Sequence, residues 1–210
     1  MQKKFKAGFA VMISLVACII MAQKPVMTQE MKPAITKEVK PVTNTLIKPE
    51  LKRTKVMWLN HLDLLPGDPS VKTSFAALRS LTGGLSGLNI KSTTTGDTGI
   101  PGGNKVVEMG VPTIPGYTIV GVKVCYELSS PKSHITQIRL SQLQNPPSTA
   151  LVMLDDGTAH TNKGPVCITS TPTSIDPQKG AVRLSLRLDI GNTADVIVIR
   201  GIGLILKPTP

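Results

Sequence analysis

Over much of its length from residue 105 onward, the chain alternates apolar and polar residues with the period of two that marks a strand with one buried and one wet face. The cleanest stretch is AVRLSLRLDI (181–190), where Val182, Leu184, Leu186, Leu188 and Ile190 face one way and Arg183, Ser185, Arg187 and Asp189 the other. YTIVGVKVCYEL (117–128) puts Val120, Val122, Val124, Tyr126 and Leu128 on one face, and SHITQIRLSQL (133–143) alternates around Ile138 and Leu140. TALVMLDD (149–156) runs into an Asp156-Gly157 turn, and GPVCITS (164–170) is a short strand. ADVIVIRGIGLIL (194–206) is apolar on both faces, as a central strand would be. KVVEMGV (105–111) and KVMWL (55–59) add two more.

Turn residues separate these runs: Pro115-Gly116, Ser130-Pro131, Asn145-Pro146-Pro147, Asp156-Gly157 and Gly191-Asn192. Many short strands at this spacing predict an all-β fold, an antiparallel β-sandwich or jelly-roll-like domain over residues 56–210. Such a length buries a sound core, and the composition makes that core aliphatic. FAALRSL has helical spacing and predicts one short helix over 74–81. The glycine-rich segment 82–104 reads as a long mobile loop and a candidate contact surface.

The first 55 residues follow other rules. Lys3, Lys4 and Lys6 precede an uncharged apolar run over residues 7–22, the pattern of an export signal. The run has 16 residues, shorter than the roughly 20 that a spanning helix needs. Three fates are open: cleavage after Ala22, retention as a signal anchor, or lipidation. The third uses Leu15-Val16-Ala17-Cys18, which resembles a bacterial lipobox and makes Cys18 the candidate lipid anchor. Each fate carries the rest of the chain out of the cytoplasm, and the lipid or anchor would make the membrane a partner.

Residues 23–55 then repeat Lys-Pro every eighth residue, at Lys24-Pro25, Lys32-Pro33, Lys40-Pro41 and Lys48-Pro49. Proline at that spacing breaks a helix, and each preceding residue is pushed toward extended geometry. The stretch predicts an extended, semi-rigid spacer that holds a domain away from the membrane. Its lysines suit an anionic envelope polymer; the plainer alternative is a disordered tail with accidental periodicity.

Charge supports this division. The formal net charge of +11 first suggests nucleic acid. Yet residues 56–210 carry thirteen basic against ten acidic side chains, so the basicity sits mostly in the N-terminal 55 residues. Aromatics for base stacking are few, and nucleic acid is set aside as a partner.

With Cys18 lipidated or removed, Cys125 and Cys167 remain, an even number that predicts a disulfide in an oxidising compartment. Two buried free thiols are the alternative. Cys125 shares its face with Lys123 and Glu127, so a bridge requires Cys167 to lie on the same outward face.

Candidate chemistry is sparse. His61, His134 and His160 lack second ligands at metal spacing, and no metal or cofactor is expected. Asp155, Asp156 and His160 form a weak cation candidate that an Asp-Gly hairpin turn explains more simply. GDTGIPGGNK (96–105) ends in lysine without the Ser or Thr of a phosphate loop and precedes a strand. No nucleophile elbow occurs. Trp58, Tyr117 and Tyr126 are few for sugar stacking, and Tyr126 sits among core positions. These features point to a non-enzymatic, exported, membrane-tethered module with a protein or glycan ligand, or with an envelope-structural role. The alternative is an extracytoplasmic hydrolase or lyase whose site carries no motif. Nothing in the sequence opposes a homo-oligomer.

Overall fold

A computed structural model describes residues 53–76, 87–112, 114–144 and 149–209. The export segment, Cys18 and nearly all of the Lys-Pro spacer lie outside the described residues. Two antiparallel sheets face each other, which makes the domain the expected all-β sandwich. Among the described residues eleven strands run in chain order: β1 (Lys55–Leu59), β2 (Leu65–Pro66), β3 (Val71–Ala76), β4 (Gly87–Ser92), β5 (Val106–Val111), β6 (Tyr117–Leu128), β7 (His134–Leu143), β8 (Ala150–Asp156), β9 (Val166–Thr169), β10 (Val182–Asp189) and β11 (Ile197–Pro208). The six-stranded sheet has the order β3-β4-β11-β6-β9, with β1 pairing along β11. The five-stranded sheet has the order β2-β5-β10-β7-β8. Only β3–β4 and β7–β8 are neighbours in both sequence and sheet. Every other connection between consecutive strands crosses between the sheets, as in jelly rolls.

The core fills the space between the sheets with aliphatic side chains, and Tyr126 is the only aromatic among the buried described residues. The alternation read from β10 holds throughout: Val182, Leu184, Leu186, Leu188 and Ile190 are all buried. In β6 it holds from Val122 to Leu128. Toward the start of the strand the register against β11 shifts, so Ile119 turns inward where simple alternation places Val120. A β-bulge does this by adding one residue to a strand and inverting its faces beyond that point. β7 shows the same effect: Ile135 and Ile138 are both buried, with a register shift against β10 between them.

Three expectations need correction. Residues 74–76 are strand, the end of β3 paired with β4, and residues 77–81 of the expected helix lie outside the described residues. The 82–104 segment is not one long loop. Gly87–Ser92 is β4, and residues 93–104 are held by backbone bonds such as Gly96 N–H to Ile190 O (2.7 Å) and Lys105 N–H to Asp97 O (2.8 Å). Asp156-Gly157 is not a hairpin turn, because β8 lies in the five-stranded sheet and β9 in the six-stranded one.

Candidate functional site

The outward face of the five-stranded sheet carries a cleft of about 320 Å³, lined among others by Val106, Glu108, Arg139, Val152, Arg183 and Ser185. Strand register builds it. Glu108 pairs across from Ser185, Ser185 from Arg139, and Arg139 from Asp155. Leu65 extends this row on β2. A second row runs from Gly110 through Arg183 and Ser141 to Val152, and a third from Val106 through Arg187 to Gln137. Side chains on one face of adjacent strands stand close enough to bond, so alternation within each strand becomes a polar surface two-dimensionally.

The charges in these rows are matched. Arg139 grips Asp155 with two donors, Nε to Oδ1 at 3.2 Å and Nη2 to Oδ2 at 3.1 Å, and Gln137 adds its amide to Oδ1 at 2.5 Å. Arg183 Nη1 lies 3.3 Å from Glu108 Oε2, while the Ser185 hydroxyl donates to Glu108 Oε1 at 2.5 Å. Arg187 pairs with Asp97 at the rim. Gly110 leaves open space beside Arg183. Ser141 and Ser185 are buried at the floor, whereas the Arg183 side chain, though paired with Glu108, remains 56% exposed. Val106, Ala150 and Val152 give the lining apolar patches.

A second, larger hollow lies along residues 66–73, but turn backbone forms much of it. Its one carboxylate, Asp68, turns inward to the hydroxyl and N–H of Ser70, and the hydroxyl bond first of all holds its pKa below the usual value.

The structure scatters the residues singled out from sequence. Cys125 and Cys167 are bonded across β6 and β9, both outward on the six-stranded sheet. Asp155 lies in the polar rows described above, but Asp156 points to the other side of β8, as successive strand residues must. Its carboxylate accepts from the N–H groups of Thr158 (3.1 Å) and Thr171 (2.8 Å). Burial raises the Asp156 pKa, and the Thr158 hydroxyl, these N–H groups and the nearby His160 together more than reverse it. His160 is half-buried against Tyr126, with ring centroids 6.3 Å apart, and burial lowers its pKa. Asp155, Asp156 and His160 therefore do not converge, and among the described residues no three His, Cys, Asp or Glu side chains group as metal ligands. Trp58 is 56% exposed, Tyr117 lies under the Lys55 ammonium at 3.8 Å, and Tyr126 is core.

Sequence reasoning missed Glu108, Arg139 and Arg183 as a group. The signal was present in the polar faces of QIRLS and RLSLR, but only the strand order puts those faces side by side. Among the described residues no helix is long and apolar enough to cross a membrane.

No family model matches the chain, and no curated protein does. Among solved structures it is similar to carbohydrate-binding module CBM36 in complex with calcium and xylotriose, at 9% identity and a TM-score of 0.39, covering 71% of this chain and 98% of that one. It is also similar to a carbohydrate-binding module from the β-sandwich superfamily with promiscuous specificity, at 14% identity and a TM-score of 0.38, covering 75% and 57%. A family two carbohydrate esterase from Cellvibrio japonicus is similar at 13% identity and a TM-score of 0.30, covering 75% and 36%. At these scores the likeness is architectural. What the cleft can bind follows from its own side chains.

Proposed function

We propose that this protein is an exported, membrane-tethered, non-enzymatic binding module whose cleft takes a neutral, hydroxyl-rich ligand, a glycan chain. The row Glu108–Ser185–Arg139–Asp155 carries the reading. With Arg183 of the adjacent row, two guanidinium groups and two carboxylates neutralise one another there, so the face offers alternating donors and acceptors without net charge. A polyanion would meet Glu108 and Asp155, and a polycation would meet Arg139 and Arg183. A sugar presents hydroxyls that both donate and accept, and apolar C–H faces that fit Val106 and Val152. Binding is favoured over turnover because each carboxylate in the row already holds a cationic partner, which weakens it as a base. The Cys125–Cys167 bond and the basic-then-apolar N-terminus support export. The Lys-Pro spacer then sets the module off the membrane.

Titration calorimetry of the purified protein against soluble neutral and acidic oligosaccharides tests the ligand. Heat with a neutral oligosaccharide is expected, and Arg183→Ala or Glu108→Gln should abolish it while leaving the fold intact. Binding confined to acidic oligosaccharides, or indifferent to both substitutions, would overturn the reading. Cell fractionation tests location, with a dominant cytoplasmic pool as the contrary result.

A further inference from the structure

Lys105 is fully buried. Its ammonium donates to three consecutive backbone carbonyls, of Thr94 (2.9 Å), Thr95 (2.6 Å) and Gly96 (2.8 Å). Successive carbonyls in a strand point to alternate sides. Three that converge on one point repel one another unless a positive charge sits between them. Gly96, at φ +75°, supplies the left-handed backbone that turns the chain here. The charges of Asp68, Asp189 and Asp97 also favour the ammonium, although burial acts the other way and prevails. Among the described residues the Nζ hydrogen bonds go to the three carbonyls and not to the three carboxylates; Asp68 is engaged by Ser70 and Asp97 by Arg187.

We propose that residues 93–105 form a cation-coordinating loop whose cation is the Lys105 ammonium, and that removing this side chain opens a site for a free monovalent cation, potassium foremost. The distances select the ion. Nitrogen-to-oxygen separations of 2.6 to 2.9 Å are longer than the roughly 2.3–2.6 Å of calcium–oxygen bonds. They suit a larger singly charged ion held by neutral carbonyls, the donor type of potassium filters. A tethered ammonium also makes the native loop independent of added cations. Asn104, at the end of this loop, lines the cleft, but the proposal stands without any assumption about the cleft's ligand.

The test compares full-chain wild type, Lys105→Ala and Lys105→Met by calorimetry. KCl is set against tetramethylammonium chloride at equal ionic strength, the latter ion being too large for the cradle. Lys105→Ala should melt well below wild type and recover by about 4 °C or more as KCl rises, as expected for a ligand that binds only the folded state. Wild type and Lys105→Met, whose chain fills the space without charge, should not distinguish the salts. A Lys105→Ala response no larger than that of wild type overturns the proposal, and so does equal recovery of Lys105→Met. Should the alanine variant not fold, amide exchange in Lys105→Met decides: the Gly99 amide and that of position 105 should exchange roughly tenfold faster or more while β10 is unchanged. Unchanged loop exchange would show that no cation is needed there.

Discussion

The two sheets share one core and treat their outer faces in opposite ways. On the six-stranded sheet the central strand β11 presents Gly201 and Gly203, both buried, with the Val56 and Trp58 side chains of the neighbouring β1 reaching over them. A Cβ on Gly203 would stand 2.6 Å from Val56 Cγ1 and 3.3 Å from Trp58 Cε3, and one on Gly201 would stand 3.3 Å from Trp58 Cζ3. Across from Gly201 is Cys125, bonded to Cys167 on the four-residue strand β9. On the five-stranded sheet the central strand β10 presents Arg183, Ser185 and Arg187 beside a glycine with open space around it. One outer face is closed by an aromatic ring, close backbone approach and a covalent bond. The other is left open, with its charges paired. The contrast separates what secures the fold from what meets a ligand, and each part can be attacked alone.

Breaking the disulfide should have the largest effect. The bridge joins residues 42 apart in sequence, for which chain entropy gives on the order of 4 kcal/mol, or a melting temperature lower by roughly 10 °C for a domain of this size. Cys125→Ala, Cys167→Ala and the double substitution should fall by similar amounts, as should the reduced wild type. Additive losses, or none on reduction, would mean that this face is not secured by its bridge.

A glycine pair sharpens the comparison further. Gly203→Ala forces Val56 and Trp58 aside and should cost about 1–3 kcal/mol. The chain has a single tryptophan, so its fluorescence reports the displacement directly. Gly110→Ala meets nothing within 4 Å and should be neutral or slightly stabilising, since alanine restricts the unfolded chain. Equal costs at both positions would erase the distinction between a closed and an open face.

Much of the sandwich was legible because burial follows from alternation: every inward residue of β10 was assigned correctly, and β1, β5, β6, β7, β8, β9 and β11 sit where their runs were read. The bulges in β6 and β7 were not legible, since an inserted residue shifts the faces without altering composition. β3 and β4 escaped for a related reason. FAALRSL carries helical spacing, but pairing with β4 outweighs local propensity at residues 74–76. Lys105 was weighed as a phosphate ligand, and its burial depends on carbonyls up to 11 residues earlier in the chain. The cleft was the least legible, because it consists of register between β5, β10, β7 and β8, strands far apart in sequence.

Within the open face, the Arg139–Asp155 pair should contribute little to stability. The two side chains are 35% and 47% exposed, and such pairs are worth about 0.2–1 kcal/mol. A double-mutant cycle with Arg139→Ala and Asp155→Ala should therefore give a coupling below about 1 kcal/mol, falling with salt, while glycan binding declines for each variant. A coupling as large as the cost of Gly203→Ala would make this face part of what secures the fold.

The smallest expected effect concerns the connection between the two sheets. His160 lies between β8 and β9, and its N–H bonds the Ile135 carbonyl at 2.9 Å. Its Nε2 is buried without a hydrogen-bond partner among the described residues. Burial lowers its pKa from 6.5; the Asp156 carboxylate opposes this and His134 adds to it. The sign follows from linkage. Well above pH 6.5 the ring is neutral in both states and contributes no slope. Below pH 6.5 the unfolded chain takes up a proton that the folded one resists, so stability falls with pH until the folded ring also titrates. Urea midpoints measured from pH 7.5 to 5 should decline slightly for wild type. His160→Phe keeps a ring against Tyr126 and should flatten the curve. His61, whose pKa burial also lowers, should leave a residual slope that His61→Gln removes. An undiminished slope in His160→Phe would show that the connection between the sheets tolerates a charged imidazole. The pH sensitivity would then belong to the His61 turn after β1.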